Sequence, residues 1–443
     1  MTTVATITRP RMSALQQAML SFYWFATSVQ WAAILTILMQ LQVLDLVSAD
    51  VKGQTLGLVL AFGALVSMFI APFFGAWSDR VATRWGRRTP FLVVGTLGNM
   101  LGLLGMAYLP SVRGALALPL YIGAFMWVQL FNNIATAPFS ALIPDIVPPD
   151  QRGSASGWLG LMTMLGNFGG AAVIPLALAS IGGVVGAYWV IIVVMLLGMA
   201  VTVFSVKEPP APPAPPFEWG AFVRGLYEPL RTSHDFRWVF WTRFLVTMGI
   251  FTVQQFLLFY FIDVIREFRF MGASNFLGVI PLNQATDAAS VFFLMLLVGA
   301  IISSLLAGVL SDKYGRKLMV YISGALQGLV AAVFIFFGDY TLAVLMGLVF
   351  GLGYGAYQAV DWALAADVLP STDDYAKDMG VWHVALTLPQ VIATPIAGFL
   401  LDRFQIIGKG SGLPTLGYMV IFALAVIYFA LGTYFVRRIR VVK

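Results

Sequence analysis

Residues 75–91 read GAWSDRVATRWGRRTPF, and residues 308–320 contain a shorter form of the same pattern, GVLSDKYGRKLMV. Each copy follows an apolar run and places an aspartate and several basic residues directly after it. Two more pairs of segments repeat in order: ALIPDIVP at 141–148 with ALAADVLP at 363–370, and SVQW at 28–31 with TVQQ at 252–255. The offsets are 233, 222 and 224 residues, so the chain is predicted to contain two copies of one structural unit.

The composition is typical of a membrane protein. Of the 443 residues, 60% are hydrophobic and 10% are charged, whereas soluble domains have about 25% charged residues. A spanning helix needs roughly 20 mostly apolar residues, and the sequence offers twelve such runs. They lie near residues 15–42, 55–78, 90–109, 115–142, 156–180, 184–206, 239–265, 289–311, 318–338, 341–369, 379–401 and 416–436. The first run lacks a small-residue cleavage signal before a second apolar run, so we expect it to remain as a span.

The repeats divide these runs into two sets of six. We predict an all-α membrane protein with twelve transmembrane helices in two pseudo-symmetric six-helix bundles, an arrangement known from secondary transporters. The bundles are expected at residues 1–206 and 239–443, joined by a cytoplasmic linker at 207–238. The Pro-rich start of this linker should be extended. The basic, amphipathic segment after it is expected to lie on the inner membrane surface, unless the whole is an ordinary linker.

Lys and Arg predict the orientation, because cytoplasmic loops are enriched in them. If both termini are cytoplasmic, 20 of the 26 Lys and Arg residues lie on the inner side and 6 on the outer side. This bias accounts for the net charge of +6 without a nucleic-acid partner. Short loops and the lack of cysteine favour a bacterial inner membrane, and we expect a monomer.

The sequence does not indicate an enzyme. There are no cysteines, and the two histidines, His234 and His383, are far apart in the chain. A zinc-ligand spacing, a Gly-rich phosphate loop followed by Lys and Ser or Thr, and a nucleophile–base pair are all missing from the sequence. We therefore expect no catalytic residues, no cofactor and no metal site.

The repeated loops and the two D-x-x-P segments are predicted to form a gate on the inner side. Glycines allow helices to approach closely, and aspartates at helix ends can pair with basic residues or with a helix N-terminus. The predicted gate residues are Gly75, Asp79, Arg80, Arg87, Arg88 and Asp145 in the first repeat, and Gly308, Asp312, Arg316 and Asp367 in the second. Alternatively, the basic residues only anchor the chain at the membrane surface.

The loop pattern Gly-x-x-x-Asp-Arg/Lys, followed by Gly-Arg-Arg/Lys, resembles the signature of the major facilitator superfamily. Its longer first copy, with Arg84, Trp85, Gly86, Pro90 and Phe91, resembles the loop of plant sucrose–proton symporters and their animal and bacterial relatives. It is similar, less closely, to the loop of the glycoside–pentoside–hexuronide:cation symporters. The resemblance implies the major facilitator fold and a sugar carrier that is driven by protons or sodium.

The chain departs from these relatives at the coupling site. Melibiose-type carriers bind sodium through carboxylates in their second and fourth helices, and the runs at 55–78 and 115–142 contain none. Where the plant carriers are thought to titrate an acid within the fourth helix, this chain has Asn132, Asn133 and Thr136. Sodium coupling is therefore not expected, and proton coupling must depend on another residue or be absent.

Polar and aromatic side chains recur at helical spacing on five of the runs and are expected to face a shared cavity. The candidate substrate-binding residues are Tyr23, Thr27, Gln30, Trp31, Gln129, Asn132, Asn133, Gln254, Gln255, Tyr354, Gln358, Asp361 and Gln390. Amides, hydroxyls and aromatic rings suit a neutral sugar, and Arg243 is the only cation on these faces. Each Gln or Asn could instead form a hydrogen bond between helices, worth about 0.6 kcal/mol.

Asp361 lies well inside the tenth run, where a charge costs at least about 2.5–3.5 kcal/mol on insertion scales. Three roles are open for it: a proton-binding site, a direct ligand of sugar hydroxyls, or a structural partner of His383 or another inward-facing group. His383 is a candidate proton relay or a structural residue.

The function predicted from these features is transport of a sugar or glycoside by alternating access, with proton-coupled symport. The expected partners are the small-molecule substrate, the proton and the lipid bilayer. An exporter of amphipathic small molecules, an uncoupled sugar facilitator and a membrane sensor are the alternatives. The many aromatic and Met residues favour the exporter among these, and the short loops leave no room for the signalling domain of a sensor.

Overall fold

The protein is almost entirely helical. A computed structural model describes residues 11–81, 83–112, 114–148, 151–205, 208, 220, 228, 230–368 and 375–440. The helices are α1 (Ala14–Ala33), α2 (Met39–Leu46), α3 (Lys52–Ser78), α4 (Thr89–Tyr108), α5 (Ala117–Ser140), α6 (Leu142–Ile146), α7 (Arg152–Ser180), α8 (Gly183–Ser205), α9 (His234–Gln254), α10 (Leu257–Tyr260), α11 (Ala285–Tyr314), α12 (Arg316–Phe336), α13 (Tyr340–Asp367), α14 (Tyr375–Ser411) and α15 (Leu416–Phe435). Single π-helical turns at Ile34–Leu38 and Phe261–Ile265 continue α1 and α10, and a short hairpin pairs β1 (Asn275–Phe276) with β2 (Ile280–Pro281).

Ten helical stretches of the described chain are long and apolar enough to cross a bilayer. Two more helices, α5 and α7, coincide with the remaining predicted runs and have 24 and 29 residues. At 1.5 Å per residue they are about 36 and 43 Å long, which exceeds the roughly 30 Å of a hydrocarbon core. The all-α membrane fold is thus confirmed, and the count of twelve spans stays a prediction.

The eleventh predicted run ends too early. The sequence places its end at residue 401, because Asp402 and Arg403 follow, yet α14 continues to Ser411. Asp402 is only 5% exposed, so its charge lies within the packed part of the helix and does not mark the end of the span. Its carboxylate accepts hydrogen bonds from the backbone N–H groups of Gly53 and Gln54, which the sequence did not indicate.

The chain divides into two compact units. The first contains the described residues of Met1–Ala33 and Val66–Phe217, and the second those of Ile34–Leu65 and Glu218–Lys443. The second half of the first span and the first half of α3 therefore pack with the C-terminal part of the chain. Most of the predicted linker at 207–238 lies outside the described residues, and the proposed bundle limits at 206 and 239 stay predictions.

Close backbone packing positions α13 in the second unit. A Cβ built on Gly351 would overlap the carbonyl oxygen of Leu296, and one built on Gly355 would overlap that of Ala300. Only glycine fits at both positions, which are one helical turn apart and face α11. Such small-residue contacts are the usual way in which membrane helices approach one another. They fix the rotation of α13 and hence the direction of its polar face.

The two repeated loops turn at equivalent glycines. Gly86 and Gly315, the glycines of the Gly-Arg-Arg and Gly-Arg-Lys motifs, have φ angles of +97° and +95°. Residues with a Cβ avoid this left-handed region. The shared conformation supports the duplication that was inferred from the sequence.

We expect Gly315→Ala to lower the free energy of unfolding by about 1–2 kcal/mol, because alanine is strained at this φ. Gly410→Ala is the matched control, since Gly410 lies within α14 and a Cβ there would meet nothing within 4 Å. Chemical unfolding of the purified protein in detergent micelles measures both effects. Equal losses in the two variants would contradict the assigned turn.

Candidate functional site

A buried ion pair joins α9 to α13 in the second unit. The guanidinium of Arg243 donates a hydrogen bond to the carboxylate of Asp361, and the two side chains are 3% and 2% exposed. Arg243 lies nine residues from the start of α9, about 14 Å along the helix, and Asp361 lies six residues, about 9 Å, before the end of α13. The pair is therefore enclosed by protein and lies inside both helices, away from their ends.

A partly accessible polar surface lies next to this pair on α13. Tyr354 and Gln358 precede Asp361 by two turns and one turn on the same face, and both are half-buried. The amide of Gln358 donates to the hydroxyl of Tyr354 at 3.2 Å. Tyr357, one turn before Asp361, is 2% exposed. One face of α13 thus presents hydroxyl and amide groups beside a fixed charge pair.

The partner of Asp361 was not assigned to the site from the sequence. The sequence indicates an inward-facing partner for this carboxylate but does not identify it as Arg243, although an Arg within an apolar helix needs an anion nearby. His383, the other suggested partner, belongs to the backbone of α14, but its side chain lies outside the described residues.

The other three candidate glutamines of the second unit, besides Gln358, have different environments. Gln254 and Gln390 are half-buried, whereas Gln255 is 4% exposed. The backbone carbonyl of Gln255 accepts a hydrogen bond of 2.8 Å from the side chain of Gln40. The side-chain oxygen of Gln255 has no partner among the described residues. Gln40, which was not predicted from the sequence, therefore belongs with this group.

In the first unit, the polar stripe of α1 does not face a cavity as a whole. The hydroxyl of Tyr23, which is fully buried, is hydrogen-bonded to that of Thr96 at 2.8 Å. Gln30 accepts a hydrogen bond of 2.6 Å from Asn99. Because Thr96 and Asn99 both lie on α4, these contacts tie α1 to a neighbouring helix of the same bundle.

This packing corrects part of the predicted binding face. Tyr23 uses its hydroxyl within the bundle, and Thr27 donates to backbone carbonyls of its own helix. A helix within a bundle has protein on several sides, so a polar stripe can face a neighbour as readily as a cavity. Gln30 keeps one unsatisfied group, because its side-chain nitrogen has no partner among the described residues.

The remaining candidates of the first unit lie on or beside α5. Trp31 is half-buried and meets the ring of Phe125 edge-on, with 6.3 Å between centroids. Asn133 accepts from Ser67 at 3.1 Å and donates to the carbonyl of Gln129 at 2.7 Å. Asn132 is 5% exposed, and its side-chain oxygen has no partner in the described parts of the chain.

The loop after α3 forms a compact charge cluster. Arg88, 4% exposed, pairs with Asp79 at 2.5 Å and with Asp145 at 3.0 Å, and it also donates to the hydroxyl of Ser78. Arg87 pairs with Asp145 at 2.6 Å. The predicted pairing between the basic loop and the D-x-x-P segment is therefore present, whereas a gating role stays a prediction.

Glu208, which lies near the C-terminal end of the first unit in the sequence, also belongs to the cluster. Its carboxylate accepts the backbone N–H groups of Arg88 at 2.9 Å and Thr89 at 3.1 Å, and thus caps the N-terminus of α4. A carboxylate at a helix N-terminus is favourable because it satisfies free N–H groups and opposes the positive end of the helix dipole. This residue was not among those predicted from the sequence.

The second repeat reproduces one of these contacts. Arg316 pairs with Asp367, and these two residues occupy the positions of Arg87 and Asp145 in the repeat. Gly308 and Asp312 belong to the backbone of α11, but the side chain of Asp312 lies outside the described residues. Arg80, in the turn after α3, donates to the backbone carbonyl of Ala76 on that helix.

One expectation for the first loop is wrong. A Cβ at Gly75 would meet nothing within 4 Å among the described residues, so this glycine does not permit a close helix contact in this structure. Its carbonyl instead accepts a hydrogen bond from Arg88 at 3.4 Å.

Comparison with known families agrees with this arrangement. The sequence model described as MFS/sugar transport protein matches residues 33–285, more than half of the chain, and the Major Facilitator Superfamily model matches residues 268–442. The chain belongs to the major facilitator superfamily.

Curated relatives within this superfamily include sugar transporters at low identity. The sucrose transport protein SUC3 of Arabidopsis thaliana is 26% identical over 194 residues, which cover 35% of this chain and 33% of the plant protein. The general alpha-glucoside permease of Schizosaccharomyces pombe is 27% identical over 132 residues, or 28% of this chain and 24% of the permease. The chain thus spans about a third or less of these relatives. An MFS-type transporter of Methanocaldococcus jannaschii is 22% identical over 82% of this chain and 84% of its own length.

Solved structures of other major facilitators have the same fold over nearly the whole chain. A bacterial homologue of the human lysosomal transporter Spinster, in an inward-facing and unoccupied conformation, gives a TM-score of 0.68 at 15% identity, with 96% of this chain and 95% of that one covered. The nucleoside transporter NupG gives 0.70 at 16% identity and covers 96% of this chain and 100% of its own. The family and the fold are those of membrane transporters and not of enzymes.

The buried pair predicts a strong energetic coupling between two helices. Asp361→Asn leaves Arg243 buried without its anion and should cost about 3–5 kcal/mol of stability. Arg243→Gln should cost a similar amount, and the double variant less than the sum of the two, because it leaves no uncompensated charge.

Unfolding of the four proteins in detergent micelles measures the coupling. Asp45→Asn is the matched control, because Asp45 is exposed and undergoes the same chemical change. Additive losses in the double variant would show that the pair does not link α9 to α13 energetically.

Proposed function

We propose that this major facilitator moves a neutral sugar or glycoside by alternating access, in symport with protons. The observation that supports this most directly is the enclosed Arg243–Asp361 pair beside the partly accessible hydroxyl and amide groups of α13. The match to the MFS/sugar transport model and the sucrose-transporter relatives favour a sugar over other solutes.

The proposed topology has twelve spans with both termini in the cytoplasm. It is supported by the twelve long helices together with the distribution of Lys and Arg between the loops. On this topology the clusters around Arg88 and around Arg316 lie on the cytoplasmic side, where they would act as the inner gate. We place the protein in a bacterial inner membrane as a monomer.

Buried, unsatisfied polar atoms in each unit suit a polyhydroxylated ligand. The first unit has such atoms at Trp24, Gln30 and Asn132, and the second at Gln40 and Gln255. A buried polar group without a partner costs about 1–3 kcal/mol. Sugar hydroxyls both donate and accept, so one ligand class can satisfy indole and amide N–H groups as well as carbonyl oxygens.

Asp361 is the proposed proton-coupling residue. A proton on its carboxylate removes the negative charge that holds Arg243 and converts a charged hydrogen bond into a weaker one. Arg243 could then donate to substrate hydroxyls, which would link proton binding to sugar binding. His383 on α14 is the second residue proposed for proton transfer.

The test is uptake of radiolabelled sucrose, maltose and glucose into proteoliposomes, with and without an inward proton gradient. We expect gradient-driven accumulation by the unmodified protein. Asp361→Asn protein that remains folded should lose accumulation while retaining exchange of sugar across the membrane, because it lacks the titrating group but keeps the hydroxyl and amide groups of α13. Asp45→Asn is the control and should accumulate normally.

Other outcomes distinguish the alternatives. Sugar equilibration that does not depend on the proton gradient would identify the protein as an uncoupled sugar facilitator. Accumulation that survives in Asp361→Asn would exclude this residue as the coupling site. A lack of uptake for all three sugars would favour the exporter of amphipathic small molecules, which is then tested by drug efflux from the same vesicles.

A further inference from the structure

The segment 34–65 is bound tightly to α14 in the second unit. A Cβ built on Gly57 would lie 2.5 Å from the carbonyl oxygen of Thr394, and one built on Gly398 would overlap that of Gly53. The backbones of α3 and α14 therefore touch over more than one helical turn. Thr394, at the centre of this contact, is 1% exposed.

A carboxylate closes the end of this contact. Asp402, on α14, accepts the backbone N–H groups of Gly53 at 3.0 Å and Gln54 at 2.7 Å. These groups belong to the first turn of α3, which begins at Lys52, so Asp402 supplies the N-terminal cap of a helix from a distant part of the sequence. The carboxylate is favoured there because it opposes the positive end of the helix dipole.

Asp402 differs from Asp50 and Asp263, which pair with lysines, in having no cation in contact with its carboxylate. Among the described residues, no Lys or Arg side chain lies within 4 Å of its carboxylate. Lys52, the nearest basic residue on α3, is paired with Asp263 at 2.5 Å. The carboxylate of Asp402 is therefore contacted by backbone N–H groups, and Lys52 acts on its charge only from a greater distance.

The surrounding charged and titratable groups are already engaged with one another. The hydroxyl of Tyr418, on α15, donates to Asp263 at 2.5 Å. Lys409, at the end of α14, pairs at 2.6 Å with Asp50, which precedes α3. Arg403, next to Asp402 on α14, is exposed. A proton taken up by Asp402 thus leaves no cation without its partner.

We propose that Asp402 is a second proton-binding site, and that protonation there releases the segment 34–65 from α14. The proton removes the charge that the N-terminus of α3 requires, and a neutral carboxyl group accepts hydrogen bonds about half as strongly as a carboxylate. The segment begins at a π-helical turn, Ile34–Leu38, a geometry that often marks functional sites.

The direction of the effect rests on the topology of the proposed function. On that topology Asp402 lies near the outer surface, and acid outside the cell would open the protein to the outside. A proton would then enter from the side on which a symporter takes up its sugar.

The lack of cysteine in the chain provides a direct test. Thr394→Cys introduces a single thiol at the buried contact, and Ser274→Cys places one at an exposed position in the loop before α11. Intact cells are treated with a membrane-impermeant maleimide at about pH 5 and about pH 8. The labelling rate at Thr394→Cys is divided by that at Ser274→Cys, which removes the intrinsic pH dependence of the thiol reaction.

We expect this ratio to rise roughly tenfold from the higher to the lower pH. Added to the Thr394→Cys protein, Asp402→Asn should give a high ratio at both pH values, because it mimics the protonated carboxyl group. Asp402→Glu, which keeps the charge, should retain the pH dependence. Asp45→Asn is the control and should leave both ratios unchanged.

A pH dependence that persists in Asp402→Asn, or a ratio that stays constant with pH, would overturn the proposal. Size-exclusion chromatography shows whether each variant is folded, and Asp402→Glu tests the site if Asp402→Asn is not. The assay requires no sugar. The expected labelling without sugar uptake would refute the proposed substrate and leave the proton site in place. Sugar uptake without the labelling response would refute the proton site at Asp402 and leave the proposed substrate in place.

Discussion

A charge within a membrane-spanning helix must be neutralised by nearby protein, because the hydrocarbon core contains no water to solvate it. The described structure meets this constraint at each buried charge that its spans enclose. Arg243 and Asp361 neutralise each other, and the carboxylate of Asp402 is held by backbone N–H groups of α3. Every such solution joins elements that are distant in sequence. The same contacts that make the charges tolerable therefore determine which helices lie side by side.

The two copies of the repeat share their loop chemistry but differ in their membrane-spanning parts. The pairs Arg87–Asp145 and Arg316–Asp367 occupy equivalent positions, and both loops turn at a glycine with positive φ. Within the spans, the first unit offers neutral amides and hydroxyls, whereas the second contains the buried ion pair. The two copies of the repeat thus have similar loop residues at the ends of their helices but different residues within the spans.

The positions of the helices followed from the apolar runs, since each span buries its whole surface in lipid or protein and so needs about 20 apolar residues. The end of α14 could not be predicted in this way. The charge of Asp402 suggested the end of the span, because its partners, Gly53 and Gln54, are distant in the chain. The sequence also did not show which neighbouring helix or cavity a polar stripe faces. Helical spacing showed that Tyr23, Thr27 and Gln30 occupy one side of α1, but only the position of α4 revealed that two of them contact it.

The sequence by itself determined that the chain lies in a membrane, that its helices form two related sets, and that a carboxylate is placed inside one of them. These properties depend on composition, spacing and repetition, which are local or periodic. The tertiary structure alone decided that Arg243 neutralises Asp361, that Asp402 caps α3, and that residues 34–65 pack with the C-terminal part of the chain. Such pairings depend on how helices are rotated and where they touch. That rotation is set by close contacts such as those at Gly351 and Gly355, whose partners no local pattern in the sequence identifies.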